Sequence, residues 1–188
     1  MSFRRTRIAL AALVLSMLAT ARIAAEDVQE LRANAGVRFF RSLLAADVDL
    51  TKKTVPQDQL LIVFVFVDDA RHATDLAARF SEQNKDLRGL GVITETTRDL
   101  TLANYAQRVP AGIFIAQPPN RKALASIIKY GIDHHVIVYS PYEGHVESGV
   151  LGGLFVDAQM RPFVNGATLS ASQITLKDFF FKVAKVYP

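Results

Sequence analysis

Leu60–Asp69, read Leu-Leu-Ile-Val-Phe-Val-Phe-Val-Asp-Asp, decides the fold. Eight apolar residues run without alternation and stop at two aspartates. A strand with one wet face would alternate, because successive side chains point to opposite sides of the sheet. An unbroken Val- and Phe-rich run predicts a strand covered on both faces, the habit of a parallel sheet between helices. A buried helix is the rival reading, but eight residues is short for one and the β-branched content argues against it. Asp68 and Asp69 mark the carboxyl end of the strand, where ligands of open α/β sheets tend to bind. A turn followed by a helix N-cap explains both aspartates as well, and is the preferred reading.

The elements on either side alternate. Glu26–Asp47 has a helical repeat in Val28, Leu31, Ala35, Phe39 and Leu43, with Phe40 and Leu44 beside it. Asp49–Gln59 is a polar connection containing Pro56. After the strand, Ala70–Gln83 predicts a helix, Leu90–Thr94 a second strand, and Arg98–Val109 a poor short helix. Gly112–Ala116 predicts a third strand, Asn120 caps a helix that Gly131 stops, and His135–Tyr139 predicts a fourth strand. Strand and helix at this spacing imply right-handed βαβ units and a parallel sheet. Tyr142–Ser148 then reads as a polar loop. Val150–Val156 and Met160–Val164 read as an antiparallel hairpin, with Gly149, Gly152 and Gly153 signalling a bulge or a close backbone approach. Asn165 caps a short turn at Ala167–Ser172, and Thr175 opens a last helix with Leu176, Phe179, Phe180, Val183 and Val186 on its core face. The fold class is therefore α/β: a small, mostly parallel sheet flanked by helices, with a C-terminal antiparallel hairpin and a final helix.

The chain has 188 residues and no cysteine, which suits one domain and excludes disulfides and thiol chemistry. Its start suits export. Arg4, Arg5 and Arg7 precede the apolar run Ile8–Leu18, and Ala19-Thr20-Ala21 fits a small-residue cleavage site. This predicts a signal peptide over residues 1–21, with 1–25 as the alternative, and a single domain over 26–188 in the periplasm. The Arg pair hints at a twin-arginine signal; Thr6 and Arg7 stand where that motif wants apolar residues, so ordinary secretion is preferred. Removing residues 1–21 takes three arginines and no acid, so the formal net charge falls from +4 to +1. No basic patch is left to suggest nucleic acid. No later stretch approaches the ~20 apolar residues of a membrane span.

Familiar catalytic motifs are missing: there is no G-x-S-x-G, H-E-x-x-H, P-loop or G-x-G-x-x-G. The densest polar constellation is Asp133, His134, His135, Glu143, His145 and Glu147. His with carboxylates is metal-ligand chemistry, and Glu143-x-His145-x-Glu147 would align on a strand. Pro141 and Gly144 make that stretch a loop instead, so an exposed polar loop is preferred and neither metal nor cofactor is expected. Asp68 or Asp69 working with His145 as acid and base is conceivable chemistry, but nothing in the spacing pairs them.

From about Val37 to Val186 the chain resembles the YfiR/HmsC-like periplasmic proteins. The likeness rests on the signal peptide, the helix ending Val37-Arg38-Phe39-Phe40-Arg41, and the hairpin from Gly153-Leu154-Phe155-Val156 to Arg161-Pro162-Phe163-Val164-Asn165. The segment Leu169–Lys177, leading into the last helix, completes it. The chain departs from the family in lacking its Trp-Pro, near Ser42-Leu43, and the cysteines of some members. The resemblance implies a non-enzymatic regulator that binds the periplasmic sensor domain of an inner-membrane diguanylate cyclase, acting in cyclic-di-GMP signalling and biofilm control; homodimerisation is left open. Partner contacts are then expected at Asp68, Asp69, Tyr142, Glu143, His145 and Glu147. The alternative is a periplasmic solute-binding protein of a transport system, with its ligand near the same residues; a small secreted hydrolase ranks third.

Overall fold

A computed structural model describes residues 30–188; the expected signal peptide and the first residues of the first helix lie outside them. Helix α1 covers residues 30–46. It is followed by β1 (Gln59–Val65), α2 (Ala70–Gln83), β2 (Asp86–Leu87), β3 (Leu90–Thr97) and β4 (Gly112–Ile115). Then come α3 (Arg121–Asp133), β5 (Ile137–Ser140), β6 (Gly152–Val156), β7 (Met160–Asn165), α4 (Gly166–Ala171), α5 (Asp178–Phe181) and β8 (Lys185–Tyr187). The eight strands form one sheet in the order β2-β3-β1-β4-β5-β6-β7-β8. β3, β1, β4, β5 and β6 run parallel; β7 turns back against β6, β8 lies parallel to β7, and β2 is antiparallel to β3. The α/β class, the parallel sheet and the antiparallel C-terminal hairpin are as expected.

β1 lies inside the sheet, between β3 and β4, and every residue from Leu60 to Val65 is fully buried. Its alternation is present but hidden. Leu60, Ile62 and Phe64 enter one core, with Phe40, Leu43 and Leu44 of α1 and Leu76 and Phe80 of α2. Leu61, Val63 and Val65 enter the other, with Leu124 and Ile127 of α3. Each such side chain contributes roughly 1.5–3 kcal/mol by leaving water. In the first core the Phe40 ring lies 5.5–5.6 Å from Phe80, Phe114 and Tyr139. This contact rotates α1 relative to the expected stripe: Val37, Phe40 and Leu44 are buried, while Leu31 is exposed and Phe39 only half-buried.

Four further expectations change. Arg98–Val109 holds only a 3-10 turn at Ala103–Tyr105. Gly131 does not stop α3, which continues to Asp133, because the chain turns only where His135 takes a left-handed conformation. The hairpin starts at Gly152 rather than Val150. The last helix shrinks to four residues. Phe180 is buried as expected, but Phe179, Val183 and Val186 are exposed, since the chain leaves the helix to pair along β7.

Two features pin the end of α1 in place. Val48 N–H donates to the Thr175 carbonyl and Lys177 N–H to the Ala46 carbonyl, both at 2.9 Å, so the end of α1 is stitched to the segment before α5. The adjacent Asp47 is buried, and its carboxylate accepts from Lys53 Nζ at 2.6 Å. The same ammonium donates to the His135 carbonyl at 2.6 Å.

Candidate functional site

Asp68 and Asp69 leave the carboxyl end of β1 beside the end of β4. The chain departs from these neighbouring strands in opposite senses, α2 leading to β3 on one side and α3 to β5 on the other, so a topological switch point lies between them. Asp69 caps α2, its carboxylate accepting the His72 N–H at 2.9 Å. The switch point is filled. Gln117 Oε1 accepts the N–H groups of Val67, Asp68 and Asp69 at 3.0, 2.9 and 2.9 Å. Its Nε2 donates to Asp68 Oδ1 at 2.9 Å. Three convergent N–H groups make an anion-binding nest, and here the chain's own amide oxygen occupies it.

The residues after β5 close the next position. Parallel neighbours need a crossover connection, and β5 and β6 obtain theirs from Pro141–Leu151 rather than from a helix. The stretch read as a free polar loop is therefore part of the sheet's cover. Val146 is buried over Gly153, and its carbonyl accepts from Asn165 Nδ2 at 2.8 Å. Tyr142 is half-buried; its hydroxyl donates to the Ala116 carbonyl at 2.6 Å, and burial pushes its pKa up to about 12. Ser140, fully buried, accepts the Tyr142 N–H at 3.2 Å and lies 2.8 Å from His145 Nδ1. Burial holds the His145 pKa below its ordinary value, with Glu147 opposing. The Ser140–His145 pair is not an accessible nucleophile and base, because the Ser140 oxygen is buried and already engaged.

Six expected residues thus divide. Asp68 and Tyr142 meet the same β4 segment through Gln117 and Ala116, while Asp69 serves α2. His145 bonds Ser140 and neither aspartate. Glu143 and Glu147 are exposed, Glu143 reaching Arg32 of α1 at 3.5 Å. His134 and His135 do not join them: His134 stacks on Tyr130 with ring centroids 4.3 Å apart, and His135 Nδ1 lies 2.8 Å from the Ser172 carbonyl. Among the described residues no three His, Asp or Glu side chains converge as metal ligands. Gln117 was missed because a lone glutamine has no pattern; its one signal is its place between a strand end and Pro118-Pro119.

Outside the filled switch point, α3 and Glu143–Ser148 form the walls of an open groove of about 1010 Å³. Leu124, Ala125, Ile128 and Ile132 make its apolar side, while Glu143, His145 and Glu147 face them.

No protein-family profile matches the chain, and no curated protein matches it. Among solved structures it is similar to a conserved domain protein from Vibrio cholerae O1 biovar eltor, at TM-score 0.51 and 15% identity, over 74% of this chain and 58% of that one. It is also similar to an ABC domain in complex with L-Trp from Streptococcus pneumonia, at TM-score 0.48 and 13% identity, over 77% of this chain and 60% of that one. The chain spans about three-fifths of the length of either. The first likeness shows a shared α/β fold. Among the described residues no helix is long and apolar enough to cross a membrane.

Proposed function

We propose that this chain is a periplasmic regulatory protein that binds the periplasmic sensor domain of an inner-membrane diguanylate cyclase and restrains it. The family resemblance suggests the role. The observation that supports a protein partner over a solute is the filled switch point. Gln117 takes up the three N–H groups that would greet a small anion, and Tyr142 seals the adjoining strand end. Beside these closed strand ends Glu143, paired with Arg32, and Glu147 stand exposed across from the half-buried Ile128 and Ile132 of α3. Such a surface suits protein recognition, with buried apolar anchors and rim charges that tune rate and specificity. A clean deletion of the gene tests the reading: cellular cyclic-di-GMP and surface attachment should rise. Unchanged cyclic-di-GMP, with the neighbouring cyclase expressed, would overturn it.

A further inference from the structure

We infer that the sheet edge formed by α5 and β8 is a docking surface for an anionic phospholipid bilayer. The inference goes beyond the proposed partner and does not rest on it.

Apolar exposure on this protein is concentrated in one place. Of the nine large hydrophobic side chains that the described residues expose, five lie between Phe179 and Tyr187. Phe179, Phe181 and Val183 are 54%, 39% and 57% exposed, and Val186 and Tyr187 follow on β8 at 46% and 38%. β8 is the last strand of the sheet, so its side chains stand at the rim of the molecule. The segment that displays them is anchored. Phe180 is buried in the first core, its carbonyl accepts the Val183 and Ala184 N–H groups at 3.2 and 3.0 Å, and β8 pairs with β7. Single exposed apolar residues need no explanation, whereas five within nine consecutive residues mark an interaction surface.

The charges among these residues decide what they meet. Residues 177–187 read Lys-Asp-Phe-Phe-Phe-Lys-Val-Ala-Lys-Val-Tyr, three lysines against one aspartate. Lys182 and Lys185 are exposed, and neither makes an ion pair among the described residues. Lys185 lays its ammonium 3.4 Å from the centre of the Phe155 ring. On the adjoining hairpin Arg161 is matched by Asp157. Glu147 shares a small cleft with Phe155 and Phe163, where Glu143 is already paired with Arg32, so the edge stays positive even with Glu147 counted. Protein interfaces deplete lysine. A second copy docked by a two-fold axis along β8 would also bring the lysines of both chains to one seam. A bilayer surface takes both features at once. Aromatic rings settle among the headgroups, lysine stems lie along the apolar layer with their ammonium groups in water, and anionic lipids attract those groups.

The chain contains no tryptophan, so Phe179→Trp places a single reporter at the edge. With vesicles of three parts phosphatidylcholine to one part phosphatidylglycerol its emission should shift to the blue, and the parent chain should sediment with them. Pure phosphatidylcholine vesicles should bind roughly ten-fold more weakly, and Lys182→Gln should lose roughly five-fold in affinity for the anionic ones. Phe179→Ser should weaken sedimentation roughly ten-fold, the effect of leaving one phenyl ring in water. Phe181→Ser should do the same, and circular dichroism should show both folded, because both side chains are exposed. No blue shift with either vesicle, equal binding to the two, or sedimentation indifferent to Phe179→Ser would overturn the inference, the last by assigning the binding to another segment. So would a blue shift that appears without lipid as the protein is concentrated, which would give the edge to a second copy.

Discussion

Gln117 and Asp68 exchange two hydrogen bonds, the carboxamide accepting the Asp68 N–H and donating to its carboxylate, both at 2.9 Å. The same oxygen takes two further N–H groups, so one side chain ties the end of β4 to the end of β1. Gln117→Leu keeps the bulk and removes every one of these bonds. It should lower stability by about 1 kcal/mol, the net worth of the lost bonds, since only the Val67 N–H is part-buried and water reaches the others. The urea midpoint measures this; an unchanged midpoint would mean that water replaces the amide without loss.

Tyr139 makes the opposite case. Its ring stacks 5.5 Å from Phe114 in the first core, and its fully buried hydroxyl has no hydrogen-bond partner. Burial accordingly drives its pKa far upward. Tyr139→Phe should raise stability by about 1 kcal/mol, because the unfolded chain no longer gives up hydration for nothing. Denaturant titration decides the sign.

Gly153 is where sheet and crossover touch. A Cβ there would meet Val146 Cγ2 at 2.5 Å and the Ser140 carbonyl oxygen at 2.9 Å. Gly153→Ala should cost about 1–3 kcal/mol by overpacking. The melting temperature measures the loss; an unchanged value would mean that Val146 and the crossover give way without cost.

Phe179 and Phe180 are neighbours with unequal fates, 54% and 2% exposed. Phe180→Ala should cost about 3–5 kcal/mol. Phe179→Ser should stay within about 0.5 kcal/mol of the parent. Equal losses at the two sites would mean that α5 is buried more completely than its exposure indicates.

His145 supplies a pH dependence. Its folded pKa lies below the unfolded value of 6.5 because burial disfavours the imidazolium. The unfolded chain then binds the proton first, so the His145 contribution is complete above pH 6.5 and is lost as pH falls through the lowered folded value. Comparing unfolding free energies of parent and His145→Gln at pH 7.5 and pH 5 isolates it. The parent should lose more than the variant on acidification; parallel losses would refute the assignment.

The sequence made β1 legible because a strand serving two cores needs apolar residues at both parities, a pattern solvent never produces. The βαβ order followed from it. The chain's end was misread for a related reason. Leu176, Phe180 and Val183 have helical spacing, yet only the first two are buried. Spacing reports what could face a core, and the pairing of Lys185–Tyr187 with β7 is a long-range choice that no local pattern records. At the site, the acidic residues of the crossover stood out by composition. The anchoring of the neighbouring His145, Tyr142 and Val146 by Ser140, Ala116 and Asn165 did not, because those contacts join residues that the fold alone makes neighbours.

The stitch between Ala46–Val48 and Thr175–Lys177 has a temporal meaning. A chain delivered amino end first, whether from a ribosome or through a translocon, presents α1 early and its fastening last, nearly 130 residues later. Closing so long a loop is slow, because its entropy must be lost before the contact rewards it. Until then Phe40, Leu43 and Leu44 have an incomplete roof, and the nascent protein exposes a sticky intermediate. Holding factors that greet emerging chains would therefore act on this protein for most of its synthesis, and late truncations should aggregate rather than merely lose a tail.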